Sequence, residues 1–227
     1  MWSRKEVKAK GKESFKRNYW RSVLVAFIYT LFFVATGTAT YKNKDEITSS
    51  FNFSDDPSAI AIALLVLGIV GVILLVIVVV DIFLLNPLEV GCNRFFLTNL
   101  DSNAQLSEMG YAYKNNYIAV VVGIFLRDLA KVLGIILFVI PGIILAYSYR
   151  LVPYILADDP TIDGVTALKK SRMMMKGHKW ATFVYDLSFI LWNILGAITC
   201  NIVNIFYVHP YKYSSNAELY RTIKRCN

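Results

Sequence analysis

A chain of 227 residues and 25.7 kDa that is 56% hydrophobic, 18% charged and has a mean hydropathy of +0.48 differs from soluble proteins on two counts. Soluble domains are about 45–50% apolar and about 25% charged, so a soluble enzyme is excluded first. The net charge of +8, from 24 Lys and Arg against 16 Asp and Glu, points on so apolar a chain to anionic lipid at a membrane face before nucleic acid.

In chain order, the basic opening comes first. Lys5, Lys8, Lys12 and Lys16 recur at three- and four-residue steps, with Val7, Phe15 and Tyr19 for an apolar face. This pattern predicts a cytoplasmic amphipathic helix over 1–19, lying on anionic lipid through those four lysines. The apolar run that follows has a basic lead-in too long for a cleaved signal peptide, so 20–40 reads as a retained signal-anchor span. A polar stretch, 42–58, leads to the strongest span, 59–85, which Pro87 ends. Gly68 and Gly71 within it offer a flat patch for another helix. Residues 86–116 are mixed, with Arg94 to Leu97 interfacial and a loop from Asp101 to Ala104.

The apolar region from Tyr117 to Ala157 would make a rod of about 61 Å, too long for one crossing. Pro141-Gly142 supplies a break, giving spans 117–140 and 142–157. The alternative is one central span with interfacial ends, because Arg127, Asp128 and Lys131 are costly in lipid. After a basic connection, Trp180 to Tyr211 is again too long and splits near Gly196–Thr199 into spans 180–197 and 200–211. The expectation is one all-α membrane domain over 1–227, a bundle of about six transmembrane helices.

Internal similarity supports that number. Lys16-Arg17-Asn18-Tyr19-Trp20 resembles Lys176-Gly177-His178-Lys179-Trp180, with a fainter copy at Lys114-Asn115-Asn116-Tyr117. Pro87, Pro153 and Pro210 each follow the second half of an apolar stretch. The unit reads as amphipathic helix, span, span, proline, in three parallel repeats, although basic-aromatic boundaries also recur in membrane proteins generally. With six spans, the Lys- and Arg-rich segments 1–21, 150–180 and the tail from Lys212 fall on one face. The positive-inside rule makes that face, and both termini, cytoplasmic.

No GxGxxG, Walker A or GxSxG motif occurs. His178 and His209 stand apart, and Cys92, Cys200 and Cys226 form no CxxC pair, so no cofactor, metal or catalytic residue is predicted. The sharp candidates are intramembrane ionisable residues, which mark pathways or fix packing: Asp81, Arg127, Asp128, Lys131, Arg150 and Asp186. Asp128 and Lys131 share a helix face, as do Arg127 and Lys131, an anion-attracting strip. One reading is a polar path for an ion, lipid headgroup or peptide. The other is a set of packing ion pairs, such as Asp128 with Arg150.

The basic opening ending Asn18-Tyr19-Trp20, the IPGIILAYSYRLVPYILADDP run (Ile140 to Pro160) and the stretch from Ala167 to His178 resemble a bacterial integral-membrane family, domain of unknown function 975. So do Leu187 to Trp192 and the closing Pro210-Tyr211 with Ala217-Glu218-Leu219-Tyr220. The resemblance implies a multispan protein of the bacterial plasma membrane and carries over no catalytic residue. Cys200-Asn201 departs from it, where a glycine-containing turn is expected. The expected function is non-enzymatic: handling or sensing an amphiphilic solute, lipid or peptide, in export or self-protection. The alternative is a scaffold that recruits a protein partner, or a second copy, through its basic face. Nucleic acid is not expected as a partner, since no reader fold surrounds the lysines.

Overall fold

The computed structural model describes residues 2–33, 57–199 and 201–226. They form helices and turns with no strand among them. Such a fold suits an apolar solvent, in which a helix satisfies its backbone groups within one segment. Three of the helices are long and apolar enough to cross a membrane: Leu64–Thr98, Val139–Asp158 and Lys179–Ile198, with a shorter apolar helix at Tyr19–Phe32. The end of the expected first span, 34–40, lies outside the described residues.

Helix α1 (Arg4–Arg17) runs through a turn at Asn18 into α2 (Tyr19–Phe33). Helix α3 (Pro57–Val80) continues through a π-helical turn, Asp81–Leu85, into α4 (Asn86–Thr98). A 3-10 turn (Leu106–Gly110) and the short α5 (Tyr111–Lys114) lead to α6 (Tyr117–Leu137), α7 (Val139–Ser148) and α8 (Val152–Asp158). Helices α9 (Gly164–Met174), α10 (Lys179–Leu187) and α11 (Ile190–Ile198) follow. A second π turn, Asn204–Val208, opens α12 (His209–Cys226).

Two environments divide the fold. Every residue from Leu64 to Val80 is exposed, and no side chain approaches Gly68 or Gly71, so the flat patch meets no helix among the described residues. The buried core lies elsewhere, around Phe95, Phe96, Ile155, Met175, Tyr185 and Tyr220. Helix α1 packs along α12, α4 against the 3-10 turn and α8, and α9 against α6 and α8.

Two expected boundaries move, each for a physical reason. Pro87 does not end its helix. A proline deletes the N–H that would bond the carbonyl four residues back, and the π turn absorbs the shift, Asn86 N–H reaching the Asp81 carbonyl. The carbonyl of Phe83, four residues before Pro87, accepts from the Tyr117 hydroxyl at 2.8 Å. The same device recurs before Pro210, where the Phe206 carbonyl accepts from the Tyr19 hydroxyl at 3.1 Å. Tyr117→Phe should therefore cost about 1–3 kcal/mol in detergent unfolding, and much less in a Pro87→Ala background, where a backbone N–H becomes available.

The second correction concerns Pro141. The break falls at Phe138, in extended conformation, and Pro141 lies in the first turn of α7. There its missing N–H removes a donor that would have no partner in the helix. Gly134 and Gly142 let α6 and α7 close into a tight hairpin.

The expected span 142–157 falls within the membrane-length stretch Val139–Asp158, which carries a turn between α7 and α8. Ser171 stitches the intervening turn, its Oγ donating to the Ser148 carbonyl at 2.8 Å and accepting from Leu151 N–H at 3.3 Å.

The expected span 180–197 likewise matches the membrane-length stretch Lys179–Ile198, with a turn at Ser188–Phe189. Lys8 of α1 donates to the Ser188 carbonyl at 3.3 Å, with its ammonium 4.2 Å from the Phe189 ring centre. The later turn holds Asn201 at a positive φ of 65°, the left-handed place a glycine would have filled.

Candidate functional site

Helices α4, α6, α10 and α12 and the turn after α7 place their charged residues around one cleft of about 470 Å³. On one side, Arg127 of α6 forms a bidentate pair with Glu89 of α4, at 2.6 and 2.8 Å. Arg127 is 6% exposed and Glu89 7%. Arg127 also donates through Nε and Nη2 to Asp128, both at 2.8 Å, and Lys131 donates to Asp128 at 3.0 Å. The Tyr29 hydroxyl reaches Glu89 at 3.3 Å. Bidentate geometry of this kind is what the guanidinium fork supplies.

On the other side, Arg150 holds Asp186 through both terminal nitrogens, with Nη2 at 3.0 Å from Oδ1. The same nitrogen reaches Asn216 of α12 at 3.0 Å, and the Tyr147 hydroxyl donates to Asp186 at 3.0 Å. Lys212, half-buried on α12, lines the cleft too. Burial draws its ammonium below the ordinary lysine range, nearby Asp186 raises it, and Arg150 lowers it.

Of the six residues expected in an intramembrane polar path, Arg127, Lys131, Arg150 and Asp186 line this cleft. Asp128 stands beside it, tying Arg127 to Lys131. Asp81 does not join them: it is exposed on the π turn of the apolar helix. The pairing expected between Asp128 and Arg150 is replaced by two separate sets. Asp128 belongs to α6, and the partner of Arg150 is Asp186.

Sequence reasoning missed Glu89, Lys212 and the cleft tyrosines. Glu89 sits in the mixed segment 86–116, and its partner is 38 residues away. Lys212 was counted among the tail charges, and nothing local distinguishes it. A single acid between Pro87 and the aromatic pair Phe95-Phe96 was the available signal.

The lysines expected on lipid divide. Lys5, Lys12 and Lys16 are exposed, whereas Lys8 is taken up by Ser188 and Phe189. Burial, then the charge of Arg4, lowers its pKa. The apolar face of α1 is also not open to lipid. Val7 and Phe15 are buried in the core, and Gly11 lets the Ser215 backbone approach where a Cβ would sit 2.5 Å from its Cα.

The fold and cleft together define an all-helical protein with membrane-length apolar helices and a polar cleft built from ion pairs. The family described as protein of unknown function (DUF975) matches residues 58–227, and the chain belongs to that family. No curated protein and no solved structure matches it.

Proposed function

We propose that this chain is a non-enzymatic, multispan protein of the bacterial plasma membrane that handles or senses an amphiphilic solute, lipid or peptide, in export or self-protection. The observation that carries the reading is the cleft itself: charged side chains gathered in a body whose remaining helices present apolar side chains outward. Ionisable groups are expensive at membrane depth and gather where a polar ligand passes or binds. Both carboxylates lining the cleft, Glu89 and Asp186, are held by arginines, which favours binding over proton transfer.

The reading includes six spans in three parallel repeats with cytoplasmic termini. Its support is the ring of contacts between units. Tyr117, opening the second unit, serves the carbonyl before Pro87 of the first, and Tyr19, opening the first, serves the carbonyl before Pro210 of the third. Likewise α1 packs on α12, the 3-10 turn on α4, and α9 on α8.

A scaffold role is the second reading, favoured by the exposed Lys5, Lys12 and Lys16. Reconstitution into liposomes with a panel of amphiphiles tests the first reading, which expects saturable binding or flux that weakens in Arg150→Ala. No binding, no flux and no change in that variant would reject it. A stoichiometric partner after gentle solubilisation would then favour the scaffold.

A further inference from the structure

Resting on that reading and narrowing it, we propose that the group entering the cleft is an oxyanion, a phosphate or carboxylate, held by the Lys212 ammonium and the Tyr154 hydroxyl. The charge inventory points there. Arg127, Lys131, Arg150 and Lys212 face three carboxylates, Glu89, Asp128 and Asp186. Arg127 takes Glu89 and Asp128, Lys131 takes Asp128, and Arg150 takes Asp186. Of the cations lining the cleft, Lys212 is the one without an ion pair among the described residues, and Asp81, within electrostatic reach of Arg127, lies outside the cleft. Lys212 makes no ion pair or hydrogen bond among the described residues, although it is half-buried.

Tyr154 is the second observation. Its side chain is 6% exposed and lines the same cleft, and its hydroxyl has no hydrogen-bond partner among the described residues. The other tyrosines there are engaged, Tyr29 with Glu89, Tyr147 with Asp186 and Tyr213 with Thr30. Neither the ammonium nor the hydroxyl is fully buried, so both keep open hydrogen-bonding capacity that an incoming anionic oxygen can take up.

A cationic ligand has less to gain. Glu89 already accepts two guanidinium hydrogens and a tyrosine hydroxyl, and Asp186 the same number. The cleft, at about 470 Å³, falls within the range of small-molecule sites, about 300–1,000 Å³, and is large enough for a headgroup.

Calorimetry on the full chain in a neutral maltoside detergent tests this with dihexanoyl phosphatidic acid, inorganic phosphate, octanoate, dihexanoyl phosphatidylcholine and a short-chain quaternary ammonium amphiphile. The anionic amphiphiles should bind, and Lys212→Gln should weaken them about tenfold to a hundredfold, the value of a charge-assisted hydrogen bond. Lys212→Arg should recover most of that affinity, which separates lost charge from lost folding. Tyr154→Phe should weaken binding about tenfold, and Lys169→Gln, on α9 outside the cleft, should leave it unchanged.

Binding of phosphatidic acid without inorganic phosphate assigns the anion to a lipid headgroup. Equal binding of inorganic phosphate assigns it to a free anion, sustaining the oxyanion site while removing the amphiphile. Preference for the quaternary ammonium compound, or undiminished phosphatidic acid affinity in Lys212→Gln, overturns the oxyanion and leaves amphiphile handling standing. Failure of every amphiphile to bind overturns both.

Discussion

Arg127→Met is expected to lower unfolding stability by about 3–5 kcal/mol, the loss typical when one partner of a buried ion pair is removed. Against a total of about 5–15 kcal/mol for a folded domain, the variant should be recovered in poor yield or melt far below the parent in detergent. The cause is the group left behind. Glu89 is 7% exposed, and its two oxygens face the guanidinium, so without Arg127 only Tyr29 offers it a hydrogen bond. Asp128 retains Lys131 and suffers less. Glu89→Gln combined with Arg127→Met should restore most of the loss, because a neutral pair leaves no buried charge. A single variant that melts with the parent would mean that the bridge does not hold α4 to α6.

The second large effect is steric. A Cβ on Gly91 would stand 1.9 Å from the Met109 carbonyl oxygen and 2.6 Å from its carbon. The obstacle is backbone, which cannot rotate aside as a side chain would. Gly91→Ala must push α4 away from the 3-10 turn, and about 3 kcal/mol, the upper part of the usual overpacking range, is expected. Gly68→Ala is the internal control. Beyond its own helix, no atom of the described residues lies within 4 Å of that position, so helix propensity alone acts and stability should rise by about 0.5–1 kcal/mol. Parallel thermal melts in one detergent compare the two; equal shifts would refute the close approach of α4.

What the sequence made legible follows from the length of its apolar runs. A run such as Leu64 to Val80 reads directly as a helix long and apolar enough to cross a membrane. The breaks were less legible because tertiary partners set them. Ser171 fixes the turn between α7 and α8 from twenty residues away, and Lys8 supports the one between α10 and α11 across 180 residues. Pro141 misled because the same missing N–H that interrupts a helix also suits the first turn of one. For the cleft, Arg127, Lys131, Arg150 and Asp186 stood out as charges in greasy segments. Their partners did not: any of several carboxylates could have met Arg150, and only the packing of α7 against α10 selects Asp186.

The seating of α1 on α12 also bears on biogenesis. The cover for Val7 and Phe15 is synthesised about two hundred residues after them, and contacts of such separation close late because the intervening chain must first be ordered. Through most of translation the N-terminal segment has its greasy stripe bare and its lysines charged, as surface-seeking peptides do. The stripe thus waits without its intramolecular cover until the C-terminal helix has been made.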